Sequence, residues 1–523
     1  MKKIIAIMVA VMMIFAIALP VTAARNISVV IDGTPVVFKQ GYGEPYINKD
    51  SRTMIPLRGA LESFGAKVGW NSGTKTASVV YGDTRISVPI GEKYIYVNGV
   101  KKDNDTTSII KDGGRTYLPI RIILESCGAY VQWNGSTSTV IVTKKDQETP
   151  PMPTQEMKAM WISYIELNDL PRTENGFKTA INTMFDKCKS YGMNAVIVHV
   201  RSHSDAMYPS DYFPWSKYIS GTQGKNPGYD PLEYMITAAH DRGLEFHAWI
   251  NPYRVCSEAE WSKLSSDNPA KKWRSDNDTS NDRWVLKHQS NYYYNPSVPQ
   301  VRQLIINGVK EIVQKYDVDG IHFDDYFYPT VGDVSATWFD KPEYDASGSS
   351  LSLVNWRRAN VNTLVKDTYS AVKAIKTQVV FGISPHGNVN NLRSSTQYFV
   401  DIDTWMSKSG YIDYIMPQLY WGFEAKSGGK LASWAYNNNL QTWINLKKKG
   451  NVDLMIGLAM YKVGTDNKEG NPTSEWLRYN DIIKRQVEAG RASGQVEGYA
   501  FYGYKNFLSD VARQEVQNLK KIL

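Results

Sequence analysis

The 523-residue sequence predicts an α/β protein, a (β/α)8 TIM barrel preceded by a small, duplicated α+β accessory domain. Three observations carry that prediction. From Lys158 onward, eight short apolar runs alternate with segments of helical hydrophobic periodicity, the pattern of parallel strands joined by helical crossovers. Upstream, residues 52–71 recur as 115–134 with twelve of twenty positions identical, which marks an internal repeat. The composition, 42% hydrophobic and 21% charged with 38 Gly and 23 Pro, is that of a globular chain, so collagen-like, coiled-coil and largely disordered chains are excluded.

Residues 1–24 read as a secretory signal peptide. Lys2 and Lys3 precede the apolar run 4–19, and Pro20, Thr22, Ala23 and Ala24 supply a small-residue cleavage site. Cleavage there takes the formal charge from +8 to +6. No other stretch approaches the ~18 continuous apolar residues of a membrane span, so none is expected after cleavage. The charge is not gathered into a Lys/Arg block, so no nucleic-acid partner is expected, only a mild attraction to anionic surfaces. Three cysteines, Cys127, Cys188 and Cys256, are too few for a disulfide framework. Cys127 and Cys188 read as buried small hydrophobes.

Residues 25–144 hold the repeat. Each unit reads as a strand, a short helix ending at Gly65 or Gly128, then a hairpin. These residues resemble the copper amine oxidase-like N-terminal domain in two copies. The resemblance implies a non-catalytic attachment on a secreted bacterial protein, acting as a wall or glycan tether or as a spacer. The segment has no His, and no copper site is expected. Residues 145–157, with Pro150, Pro151 and Pro153, read as a semi-rigid linker.

In 158–523 the strands are expected at 159–164, 195–200, 245–250, 320–323, 379–384, 414–419, 454–460 and 498–502. Helices are expected at 177–191, 231–242, 298–316 and 351–375, with a closing helix at 508–522. A doubly wound open sheet is the alternative, but no glycine-rich phosphate loop follows the first strand. A barrel places its functional groups just after the strands. The second strand ends in His199, Arg201, His203 and Asp205, and the third in His247, Trp249, Asn251, Tyr253 and Arg254. The fourth carries His322, Asp324, Asp325 and Tyr326, and the fifth Ser384, His386 and Asn388. Gln418, Tyr420 and Trp421 end the sixth, Tyr461 and Lys462 the seventh, Tyr502 and Tyr504 the eighth. Carboxylates, amides and aromatic rings together suit carbohydrate, whose C–H faces stack on rings and whose hydroxyls need planar partners.

Four runs resemble the hallmarks of the glycosyl-hydrolase-like family 10 barrels. They are Asp319-Gly-Ile-His-Phe-Asp-Asp-Tyr-Phe-Tyr-Pro329, His247-Ala-Trp-Ile-Asn-Pro-Tyr-Arg254, Phe381-Gly-Ile-Ser-Pro385 and Met416-Pro-Gln-Leu-Tyr-Trp421. The resemblance implies a secreted or lipid-anchored bacterial glycosidase, cell-wall associated, whose partner is a polysaccharide: peptidoglycan strands stripped of their stem peptides. After the second strand, Ser202-His203-Ser204-Asp205 replaces the family's usual Pro-x-Gly before the Asp, which bears on the shape of one subsite.

Glycoside cleavage usually needs two carboxyl groups flanking the bond. Asp324, two residues after His322 and on the same strand face, is the first candidate. Its surroundings also resemble the fourth strand of α-amylase-type barrels, where the Asp at that place is the nucleophile. Asp325 is its companion, and the sequence leaves open which of the two plays which role. Asp205 is the preferred second carboxylate, with Glu166 and Glu424 as further loop candidates. Arg201, His203, His247, Asn251, Tyr253, Arg254, His322, Tyr326, His386, Gln418, Tyr420, Trp421 and Tyr461 are expected to line the substrate, with barrel packing as the alternative for the rings. Arg201 and Arg254 suit a sugar carboxylate, such as the lactyl group of muramic acid, the Asp pair itself, or a structural ion pair. Five of the seven histidines fall at strands two to five. With no His-x-His on the first strand and no His-Glu-x-x-His helix, no metal and no cofactor is assigned. A non-catalytic glycan-binding barrel and a metal-dependent carbohydrate deacetylase are the alternatives to a hydrolase.

Overall fold

The computed structural model describes residues 27–31, 34–38, 41–50, 52–104, 106–111, 113–134, 138–144, 156–329, 331, 339–447 and 452–523. The expected signal peptide lies outside them, as does the expected linker apart from Glu156 and Met157. The chain divides into two compact units, Met1–Pro153 and Thr154–Leu523.

In the first unit each repeat folds as strand, helix and hairpin. The first comprises Thr53–Pro56, Gly59–Phe64, Lys67–Asn71 and Thr76–Tyr81. The second comprises Arg115–Pro119, Ile120–Ser126, Ala129–Asn134 and Thr139–Lys144. The repeats meet at their leading strands, which pair antiparallel with Ile55 opposite Leu118. Those positions are equivalent in the repeat, so a local two-fold axis passes between them. Around that axis Ile55, Leu61, Phe64, Leu118, Ile123 and Leu124 share one core. The first hairpin runs on into a five-stranded meander, while the second pairs in parallel with Ser28–Ile31. Cys127, Cys188 and Cys256 are buried free thiols.

The second unit is a closed barrel of eight parallel strands. They are β1 Met157–Ile162, β2 Ala195–Arg201, β3 Glu245–Ile250, β4 Gly320–Phe323, β5 Val380–Ile383, β6 Tyr414–Ile415, β7 Asp453–Ala459 and β8 Gly498–Tyr502. A helix follows each in turn: α1 Glu174–Ser190, α2 Pro231–His240, α3 Pro299–Lys315, α4 Leu353–Ile375, α5 Ile402–Ser407, α6 Tyr436–Lys447, α7 Ile482–Ala492 and α8 Arg513–Lys520.

Three boundaries depart from the sequence pattern for local reasons. β1 stops at Ile162 because Ser163 caps a short helix, Tyr164–Asn168, in a capping box with Glu166. β6 is two residues long rather than six because Pro417 cannot donate to the ladder. Beyond it only Gln418 bridges both neighbours, at His386 and Gly457. The last helix begins at Arg513, after the 3-10 turn Asp510–Ala512.

Strand alternation sorts the side chains. Met160, Val196, Val198, Phe246, Ile250 and Phe323 face outward to the helices. Trp161, Ile197, Trp249, Tyr414, Met416 and Met455 fill the barrel. Rings this large fit because strands facing them across the interior or beside them present glycine. A Cβ at Gly382 would lie 2.0 Å from the Tyr414 ring, and one at Gly457 2.6 Å from that of Trp161. Gly382→Ala is therefore expected to overpack the interior and cost at least about 1–3 kcal/mol. Urea unfolding followed by tryptophan fluorescence measures this, and an unshifted midpoint would refute it.

Candidate active site

The two-residue period of β4 sends Gly320, His322 and Asp324 to the barrel interior, each one layer nearer the mouth. Asp324 is only 2% exposed. Its Oδ2 accepts from Trp249 Nε1 at 3.1 Å and Asn251 Nδ2 at 3.4 Å, and its Oδ1 from the Tyr326 backbone N–H at 3.3 Å. His199 stands beside it, with Nε2 4.0 Å from Asp324 Oδ2 and its ring stacked on Trp249 at 3.4 Å. The Tyr164 N–H donates to His199 Nδ1 at 3.3 Å, which leaves the ring proton on Nε2, toward the carboxylate. Burial, with the charges of His203 and Arg254 behind it, holds His199 well below the usual histidine range and so neutral.

Asp325 emerges beside Asp324, partly exposed and within reach of the Gln418 side chain. Burial pushes both carboxyls above the ordinary range, and the charge of Asp325 raises Asp324 further. Two such groups on consecutive residues titrate as a unit. The pair keeps a proton at pH values where free carboxyls have lost theirs.

Rings border the pair. Tyr326, next in the chain, is 48% exposed. Tyr420 and Tyr502, which feel the charges of Asp325 and Asp324, lie parallel at 6.4 Å, with Tyr461 edge-on to both at 5.7 and 6.0 Å. His386 stacks on Tyr398 at 5.2 Å and meets Trp421 edge-on at 5.5 Å. Buried Lys462 bonds the Tyr420 carbonyl and, at 2.7 Å, Glu469, which ties the loops after β6 and β7 together. Asn251, Arg254, Tyr326, His386, Gln418, Tyr420, Trp421 and Tyr461 thus gather around Asp324 and Asp325.

Four expected lining residues do not. His247 and His322 are fully buried one layer down, their Nδ1 atoms 3.0 and 2.8 Å from the Tyr414 hydroxyl. His322 Nε2 also meets Ser384 Oγ at 3.0 Å. Both precede the strand end by enough to lie below the groove. Arg201 is expected in the groove as a residue at the end of the second strand. A bulge between His199 and Arg201 in the pairing with β3 reverses the alternation. Arg201 instead turns outward against α3, 4.5 Å from the Phe213 ring centre and close enough to Gly308 to forbid a Cβ there. Tyr253 is fully buried in the outer core.

Asp205 and His203 line an adjoining cavity of about 730 Å³ with Tyr164, Lys217, Gln223, Arg254 and Glu260. Glu166 is occupied by its capping box, accepting from the Ser163 N–H at 3.0 Å. Glu424 pairs with Arg478 at the surface. His199, Trp249 and Tyr502, named among the strand-end groups but not among the lining residues, belong to the site, and so does Tyr164, to which the sequence gives no role. The parity that selects Asp324 also selects His199 and Trp249, whereas Tyr164 opens a short helix where the pattern reads strand.

The glycosyl hydrolase-like 10 family model matches residues 156–475, and the copper amine oxidase N-terminal domain model residues 30–142. The chain belongs to the glycosyl hydrolase-like 10 family. It is 37% identical over 376 residues to glycosyl hydrolase YngK of Bacillus subtilis (strain 168), covering 67% of this chain and 69% of that one. It is 31% identical over 398 residues to glycosyl hydrolase DigH of Escherichia coli (strain K12), covering 68% and 86%. Among solved structures, the glycoside hydrolase domain of PgaB from Bordetella bronchiseptica aligns at 13% identity and a TM-score of 0.47, over 69% of this chain and 98% of that one. The N-terminal module, without histidine, does not fit the copper of its family's name. Among the described residues no group of three or more His, Cys, Asp or Glu is placed to hold a metal.

Asp205 gives the site a pH signature. Burial pushes its carboxyl up to about 6, against ~3.9 in an unfolded chain. Between those values the folded protein holds a proton that the unfolded chain has released, so stability falls as pH rises through that window. Asp205→Asn removes this loss. The variant is expected to exceed the wild type in stability at pH 7 by on the order of 1–3 kcal/mol, with no gain from this source below about pH 4. Urea unfolding at both pH values measures the difference, and parallel pH profiles would contradict it.

Proposed function

We propose that this glycosyl hydrolase-like protein is a secreted glycoside hydrolase that cleaves cell-wall glycan, namely peptidoglycan strands freed of their stem peptides. The observation that carries the reading is the coupled Asp324–Asp325 pair at the barrel mouth, both carboxyls raised by burial, between walls of tyrosine and tryptophan. Such rings offer faces to the C–H surfaces of sugars. One carboxyl that keeps its proton beside another that has lost it supplies the acid and the anion that glycosidic cleavage needs. The family motifs and the names of the relatives point to the same reaction class. The signal-like N-terminus and the small positive charge fit retention near an anionic wall.

In the one-proton state, the protonated carboxyl delivers its proton to the glycosidic oxygen as the C1–O bond breaks. The ionised carboxylate faces the positive charge that develops on the ring. Water then adds its oxygen to C1, and its proton returns to the pair. Trp249, Asn251 and the Tyr326 N–H fix the Asp324 carboxyl by hydrogen bonds. His199, neutral, adds an N–H beside it without adding charge.

Asp324→Asn and Asp325→Asn are each expected to lower kcat at least about 100-fold while keeping the wild-type circular dichroism. The wild-type rate is expected to fall on the alkaline side above the ordinary carboxylate range, as the pair loses its last proton. New reducing ends and product masses from amidase-treated peptidoglycan provide the assay. Wild-type turnover by both variants would refute the assignment. Binding of the strands by wild-type protein without new reducing ends at any enzyme concentration would make the barrel a glycan-binding module instead.

A further inference from the structure

We propose that the cavity beside the Asp pair is a subsite for a sugar ring that carries a carboxylate, and that Arg254 is the residue that recognises the anion. The proposal rests on the glycan reading above and extends it to a substrate class.

The cavity, about 730 Å³, opens between the segments that follow β2 and β3, and such a volume holds a ligand larger than one sugar ring. Three cations face two carboxyls inside it: Lys217, Lys263 and Arg254 against Asp205 and Glu260. Glu260 is already engaged, bonded by Lys217 and, at 3.0 Å, by Lys263. Arg254 is not. Among the described residues no carboxylate lies within ion-pairing distance of its guanidinium. Its neighbours are ring faces, Tyr326 with its centre at 5.3 Å and Tyr164 at 5.9 Å. Two rings that hold a guanidinium without satisfying its N–H groups leave a planar fork of donors, the geometry that takes a carboxylate bidentately.

The far wall has the opposite need. Asp205 is 2% exposed, its Oδ2 accepts from Gln223 at 3.3 Å, the Ser216 hydroxyl and Lys217 N–H lie close enough to ease its burial, and among the described residues no donor meets its Oδ1 in hydrogen-bond geometry. A sheltered carboxyl oxygen without a donor is costly. It suits a sugar hydroxyl or amide N–H and repels an anion. The cavity therefore offers two polar anchor points between apolar side chains such as Val255 and Leu264, the anion at Arg254 and a donor group at Asp205. Arg254 is also the link to the reacting centre, since its charge acts on Asp324 as well as on His199 and His203. A ring in the cavity is thus next to the ring at the Asp pair. The carboxylate has two chemical sources, a lactyl ether on an amino sugar or the C6 acid of a uronic acid. In a peptidoglycan strand the lactyl carboxyl is free only once the stem peptide has been removed, so the subsite would distinguish stripped strands from intact ones.

The test is isothermal titration of Asp324→Asn, which leaves strands uncut, with three probes. These are strands from amidase-treated peptidoglycan, the same strands with their lactyl carboxyls converted to methylamides, and an oligogalacturonate. The carboxylate strands are expected to bind at least about tenfold more tightly than the methylamides. Arg254→Met in the same background is expected to reduce that preference to less than about twofold, and Arg254→Lys to restore part of it. Tighter binding of the oligogalacturonate than of the muramyl strands supports the subsite and assigns the anion to a uronic acid. A preference below about threefold in the Asp324→Asn protein, or one that survives Arg254→Met, overturns the proposal. The ligand arm needs no Arg254 variant, so a misfolded substitution does not spare it. New reducing ends from wild-type protein without any carboxylate preference would sink the subsite and leave the hydrolase standing. A carboxylate preference without reducing ends would do the reverse.

Discussion

One hydroxyl, that of Tyr414 at the centre of the barrel, sets the terms for everything above it. It lies within hydrogen-bonding distance of His247 on β3 and His322 on β4, and His322 continues the chain to Ser384 after β5. All four groups are buried. In so dry an interior a polar group without a partner costs about 1–3 kcal/mol, so the four are held to one arrangement. Gly382 makes room for the Tyr414 ring. Asp324 stands two residues beyond His322 on the same face, and its position at the mouth is inherited from this layer.

The layer above works by the opposite means. There the structure accepts electrostatic cost. Asp324, Asp325 and Asp205 all sit where burial disfavours their charge by more than their hydrogen bonds offset. A stability-optimised core would replace them. Their retention at the open end of the strands, beside aromatic rings, marks the region where free energy is held for a ligand rather than for the fold. Arg254 completes the pattern with a cation that has ring faces around it and, among the described residues, no carboxylate within ion-pairing distance.

Much of this was legible beforehand because it follows from periodicity. The apolar runs located all eight strands, and the identity of 52–71 with 115–134 located a module whose repeats pair at equivalent residues, Ile55 and Leu118. Asp324, Gln418 and Tyr420 were found because residues that end a barrel strand meet at one mouth, whatever the loops do. The failures are equally specific. His247 and His322 were read as lining because sequence gives a residue's face but not its depth. Arg201, expected to line the substrate, turns outward because one inserted residue reverses strand parity, and nothing in the run from Ala195 to Arg201 announces a bulge. Glu166 looked free until Ser163 was seen to need it as a cap.

The sequence by itself therefore determined the barrel, the duplicated module and the candidate carboxylate pair, since alternation, repetition and adjacency are properties of a line of residues. Only the tertiary structure decided which side chains share a cavity. Asp205 and Gln223, on the connection after β2, meet Arg254, just after β3, because those two strands pair side by side. Which carboxyl lacks a donor and which cation lacks a counterion depend on distances between the segments that follow paired strands, and those distances exist only once the strands have paired.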